Sequence, residues 1–225
     1  MPKIYHILYP LFIFLSWLVH IWGRWEVRGK KSVPRKGPLI IVANHINFVD
    51  IPLMAVSLGR KVIFMAKEEL FQPKFVGHFL RSFGSFPVHR GRPDRKALRQ
   101  AQQLLADGGA LIIFPEGRRS GNGQLQPAFF GAALLAQWND TPILPVGIIG
   151  TEQLTSFASL LRRPKVVINI GQPFHLPKVD AESSKAELAE LTELIMKNLA
   201  ELLPADYRGD YTDKGNGQSE NRESE

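Results

Sequence analysis

No cysteine occurs anywhere in the 225 residues. Disulfides, thiolate nucleophiles and cysteine-based zinc sites are therefore excluded. The chain also lacks a GxxxxGKS/T loop, a GxSxG elbow and an HExxH pair. Nucleotide P-loops, ordinary lipase-type hydrolysis and zincin chemistry thus lose their usual signatures. His78, His89 and His175 show no ligand spacing, so no metal is expected. Charge is missing from one long stretch. Between Ile4 and Gly23 there is no Asp, Glu, Lys or Arg, and residues 9–22 are almost wholly apolar.

Twenty helical residues cover about 30 Å, barely a bilayer core. Pro10, His6 and His20 shorten the effective span. The bulky sequence Trp22-Gly23-Arg24-Trp25 is unlike a signal cleavage site. A membrane-associated helical segment is expected over 1–23, interfacial, re-entrant or marginally spanning; a buried core helix is the alternative. Trp17, Trp22 and Trp25 suit the headgroup level, and the bases that follow suit the cytoplasmic face of the cell membrane.

The net charge of +7 is unevenly spread. Residues 205–225 hold six acids and three bases, which leaves +10 on residues 1–204. Between Arg60 and Arg99 there are ten bases against three acids. Such an excess suits an anionic partner, although a solvated basic face explains it equally well. No nucleic acid is expected as a partner, because the basic stretches adjoin a membrane-seeking segment and carry no recognition motif.

Short apolar runs alternate with amphipathic stretches. Strands are expected at 25–27, 39–43, 61–65, 85–88, 110–114, 143–146 and 166–170. Helices are expected from Asp50 to about Leu58, within 68–83, from Asp94 to Gly108, over 130–139 and over 181–202. This order predicts an α/β fold with a mainly parallel sheet flanked by helices. The expected organisation is the membrane-associated segment 1–23, one domain over 24–204, and a disordered polar tail over 205–225.

Ligands of such sheets sit beyond the carboxyl ends of the strands. Three polar clusters fall there: Asn44 to Asp50, Arg90, and Glu116 to Ser120. His45 can accept a proton from a hydroxyl, more effectively when a carboxylate fixes its tautomer. An offset of five residues separates two side chains by about 140° on a regular helix. His45 and Asp50 can therefore meet only if 44–49 is a tight loop and Asp50 opens the helix. On spacing alone, Asp50 could equally be a plain N-cap. Gly117 beside Arg118 and Arg119 could grip a phosphate with amides and guanidinium groups, or be a solvated turn. Lys67 lies in the basic middle segment.

Taken together, these residues resemble the glycerolipid acyltransferase family, in particular its 1-acylglycerol-3-phosphate acyltransferase branch, over about Arg24 to Pro173. Asn44-His45 and Asp50 match its NHxxxxD motif. Gly84 and Arg90 match its second block, Glu116-Gly117-Arg118-Arg119 its EGTR block, and Ile143-Leu144-Pro145-Val146 its proline-centred block. Arg118 replaces a threonine, Asn47 a common serine, and Phe130 a frequent lysine.

The resemblance implies acyl transfer from a thioester, acyl-CoA or acyl-carrier protein, to the sn-2 hydroxyl of lysophosphatidic acid, giving phosphatidic acid. His45 and Asp50 would be catalytic. Lys67, Arg90, Glu116, Gly117 and Arg119 would bind substrate. No cofactor is implied, and membrane lipids are the expected surroundings. Another lysophospholipid or lipid hydroxyl acceptor, or a non-catalytic membrane lipid-binding module, are the alternatives.

Overall fold

A computed structural model describes residues 24–82, 84–89, 94–179 and 184–212. The expected membrane segment 1–23 and the tail beyond Thr212 lie outside the described residues. Seven strands form one sheet: β1 (Arg24–Arg28), β2 (Leu39–Ala43), β3 (Ile63–Lys67), β4 (Phe86–Val88), β5 (Ala110–Ile113), β6 (Ile143–Ile149) and β7 (Lys165–Ile170). Their order is β1-β7-β6-β2-β5-β3-β4. All neighbours pair in parallel except β6 and β7. The expected mainly parallel sheet is therefore observed, with β1 and β7 running against the other five strands.

Helices α1 (Asp50–Ser57), α2 (Lys74–Ser82), α3 (Arg95–Ala106), α4 (Gly131–Asn139), α5 (Phe157–Leu161) and α6 (Lys185–Ala200) complete the described elements, with short 3-10 turns. The all-apolar run of β2 has a simple cause: both faces of the strand are covered. Ile40 and Val42 pack with Ala101, Leu105, Leu135 and Leu199 of α3, α4 and α6. Leu39, Ile41 and Ala43 pack on the other face with Leu53 and Met54 of α1. All five β2 residues have zero exposure, the burial expected of a central parallel strand. The proline-centred run Ile143–Val146 is likewise buried in β6, where it builds core rather than a site.

Asp94 caps α3 by accepting from the amides of Lys96 and Ala97. Ser184 and Glu187 form a capping box that starts α6, as this residue spacing favours. The tail departs from its expected disorder at its beginning. Residues 205–212 form two 3-10 turns. The Tyr207 carbonyl accepts from Leu125 N at 2.8 Å, and its hydroxyl donates to Glu152 Oε1 at 2.9 Å. Composition alone hides these contacts, because Tyr207 and Tyr211, both packed against the core, outweigh a polar background.

Candidate active site

The loop after β2 brings His45 and Asp50 together. Residues 44–49 are irregular, and Asp50 is the first residue of α1. His45 Nδ1 lies 2.8 Å from Asp50 Oδ2. The same oxygen accepts from the amides of Ile46 at 2.7 Å and Asn47 at 2.8 Å. Asp50 is thus not a plain N-cap but the first residue of the helix, the arrangement in which the pair can meet. Val49 occupies the N-cap position, and the Asp50 side chain folds back to close the loop that carries His45. A carboxylate on Nδ1 leaves the proton there and the lone pair on Nε2. The His45 ring stacks on Phe114, with centroids 4.1 Å apart and 22° between the planes. His45 and Asp50 are 5% and 0% exposed, so the pair is shielded from bulk water.

Three neighbours hold this loop. Asn44 Nδ2 donates to Ile148 O at 2.8 Å, and Ile148 N donates to Asn44 Oδ1 at 2.7 Å. The side chain continues the β2–β6 ladder where the backbone pairing ends, at Ala43 and Val146. Asn47 Nδ2 donates to the carbonyls of Thr151 and Leu154. From the β5 side, Ser120 N donates to His45 O at 2.7 Å.

Glu116 takes a different place from the one its motif suggests. It is 2% exposed. Its Oε1 accepts from His45 N at 3.1 Å and its Oε2 from Gln126 N at 3.1 Å. Both oxygens therefore tie loops together. Burial pushes the carboxyl up to about 7, while the amides of His45 and Gln126 oppose the rise. Gly117 has φ +66°, and a Cβ there would lie 2.8 Å from the Phe129 ring. Glycine is what lets this turn pass beneath Phe129.

Arg118 and Arg119 are exposed. Arg118 Nη2 donates to Gln126 Oε1 at 3.2 Å, whereas Arg119 adjoins Ser120, which bonds the His45 carbonyl. Lys67 ends β3 on the same sheet edge, with Nζ 2.9 Å from Glu69 Oε1. Arg90 lies outside the described residues. The structure thus joins His45 to Asp50 and Glu116 by direct contact, sets Gly117 and Arg119 on the loop after β5, and places Lys67 at the end of β3. Asn44 and Phe114 were missed as site residues. Asn44 stood inside the motif and could have been found, whereas nothing in the sequence marks Phe114 as the ring beneath the histidine. A cleft lined by Trp138, Asp140, His175 and Lys178 lies at the opposite edge, away from the pair.

A base and its orienting carboxylate, buried at the carboxyl edge of a parallel sheet, suit removal of a proton from a hydroxyl. A family model described as Acyltransferase matches residues 24–149. The chain belongs to this acyltransferase family. It is 31% identical over 189 residues to a 1-acyl-sn-glycerol-3-phosphate acyltransferase of Bacillus subtilis, covering 84% of this chain and 92% of that protein. A protein of the same name from Streptococcus pneumoniae is 31% identical, over 78% of this chain and 64% of its own length. The crystal structure of the 1-acyl-sn-glycerophosphate acyltransferase PlsC from Thermotoga maritima superposes with a TM-score of 0.59 at 28% identity. That match covers 80% of this chain and 73% of the Thermotoga chain.

Proposed function

We propose that the protein transfers a fatty acyl group from a thioester to the sn-2 hydroxyl of 1-acylglycerol 3-phosphate, giving phosphatidic acid. The observation that carries this reading is the 2.8 Å contact between His45 Nδ1 and Asp50 Oδ2 at the strand edge. In this mechanism His45 Nε2 takes the proton of the acceptor hydroxyl as that oxygen attacks the thioester carbonyl. A tetrahedral intermediate forms, then collapses with cleavage of the carbon–sulfur bond. The proton on Nε2 passes to the departing thiolate. Asp50 holds the ring and stabilises the transient imidazolium.

The donor in this reading is acyl-CoA or acyl-carrier protein, and no cofactor takes part. Lys67, Arg90 and Arg119 hold the acceptor's phosphomonoester, Arg119 as a fork and Lys67 as a point charge. Gly117 shapes the turn beside it. Glu116 acts beneath the substrate, on the His45 backbone. Family membership and the names of the relatives support the reaction; the phosphate-binding roles rest on motif position. The enzyme works on the cytoplasmic face of the cell membrane, with residues 1–23 as its anchor. Among the described residues no helix is long and apolar enough to cross a membrane.

Thiol release from acyl-CoA or acyl-carrier protein, with and without lysophosphatidic acid, tests the reading. His45→Ala should lower acceptor-dependent release by at least about 1000-fold and leave the fold intact. Near-normal turnover in that variant overturns it. An acceptor lacking the phosphomonoester should react more slowly, with the loss in KM.

A further inference from the structure

The described residues expose seven large apolar side chains. Six of them stand on connections at one edge of the sheet. Phe48 follows β2, Leu70, Phe75 and Val76 follow β3, Phe129 follows β5, and Leu161 follows β6. These are the carboxyl ends of four parallel strands, the edge that carries His45. The seventh, Trp138, lies at the end of α4, which leads into the start of β6 at the opposite edge. Burial is most incomplete at Phe75, which is 93% exposed in the first turn of α2.

The entry of the chain falls at the same edge. Because β7 is antiparallel to β6 and β1 is parallel to β7, β1 runs against the parallel strands. Its first residue, Arg24, pairs with Lys165 beside the end of β6. The uncharged run Ile4 to Gly23 therefore joins the fold at the rim where the exposed apolar side chains stand.

Charge completes the pattern. Lys74 and Arg81 stand exposed along one side of α2, Arg81 over the Phe71 ring, and Arg118 and Arg119 stand exposed after β5. The rim's acids are engaged: Glu68 with His89, Glu69 with Lys67, Glu152 with the Tyr207 hydroxyl. Apolar side chains set among bases fit the headgroup and upper acyl region of an anionic bilayer.

We propose that this rim, led by Leu70, Phe75 and Val76, is a second membrane contact besides the amino-terminal segment. It presses the His45 edge onto an anionic lipid surface, so the acceptor reaches the base without leaving the bilayer. The inference rests on the acyltransferase reading for its purpose, though not for its test.

The absence of cysteine makes the test direct. Full-length Phe75→Cys and Trp138→Cys, each carrying an environment-sensitive fluorophore, are mixed with vesicles of phosphatidylcholine and phosphatidylglycerol. The label at 75 should shift to the blue and be quenched by doxyl-labelled lipid, while the label at 138 stays in water. Phe75→Glu should weaken vesicle binding about tenfold, with transfer to a short-chain, water-soluble acceptor unchanged. A label at 75 that stays in water with vesicles bound overturns the proposal. So does one already apolar without vesicles (cover by residues 1–23), or one shifting with protein concentration alone (a second copy). Insertion at 75 without any acyl transfer would sustain the surface and remove the enzymatic reading; transfer without insertion would do the reverse.

Discussion

Glu116 ties two loops together from a buried position, through the amides of His45 and Gln126. Its carboxyl lies under the histidine loop, and burial raises it from an ordinary 4.5 to about 7. A group raised in the folded state favours folding below its unfolded value. That contribution is lost as pH rises through the folded value. Stability from this group should therefore fall between about pH 4.5 and pH 7, by at most roughly 3 kcal/mol. Glu116→Gln should flatten that part of the profile, which denaturant titrations at pH 5, 6, 7 and 8 would reveal. An unchanged slope would show that the two amides keep the group ionised throughout. At Asp50 the expected effect is catalytic. Asp50→Asn keeps the volume but invites the wrong histidine tautomer, and turnover should fall by about 100- to 10,000-fold. A loss below tenfold in steady-state thiol release would deny Asp50 the orienting role.

At the scale of elements, the site depends on how β6 grips the loop after β2. Asn44 bonds both the N–H and the C=O of Ile148. Asn44→Ala leaves two buried backbone groups unpaired, at a cost of about 2–4 kcal/mol. Thermal unfolding should register that loss, together with lower turnover as the His45 peptide loosens. Gly150, at φ +90°, ends β6 with its α-carbon against the Lys165 carbonyl, where a Cβ would come within 2.1 Å. That close approach turns the chain so that Thr151 and Leu154 present their carbonyls to Asn47.

Elements of this kind were legible in the sequence where burial repeats. The apolar runs of β2, β5 and β6 announced themselves, and the alternation with helices gave a mainly parallel sheet. What stayed hidden depends on contacts distant along the chain. The sequence offered no reason for β7 to turn antiparallel. It also could not tell that Asp50 would bond amides behind it rather than ahead, since both uses of the residue share one spacing. Tyr207 packs against Gly150 and Glu152, more than fifty residues away, inside a stretch whose composition reads as disorder.

For the whole molecule, one sheet edge gathers the base, the exposed Arg118 and Arg119, the apolar rim and the point where Arg24 enters. The opposite edge is turned away from all of them. Such polarity lets one orientation at a surface satisfy both recognition and chemistry. The His45 ring adds a constraint on the order of events. Stacked on Phe114 and bonded through Nδ1, it has a single nitrogen to offer and no freedom to swing between two partners. In the proposed mechanism it acts as a base, so the acyl group has no resting place on the protein. Donor and acceptor must then be bound at the same time, and double-reciprocal plots at several acceptor concentrations should intersect. Parallel lines would mean a covalent acyl-enzyme and would overturn that mechanism. In that mechanism a ring held in one place ties the chemistry to kinetic order: the thioester keeps its acyl chain until the hydroxyl has arrived.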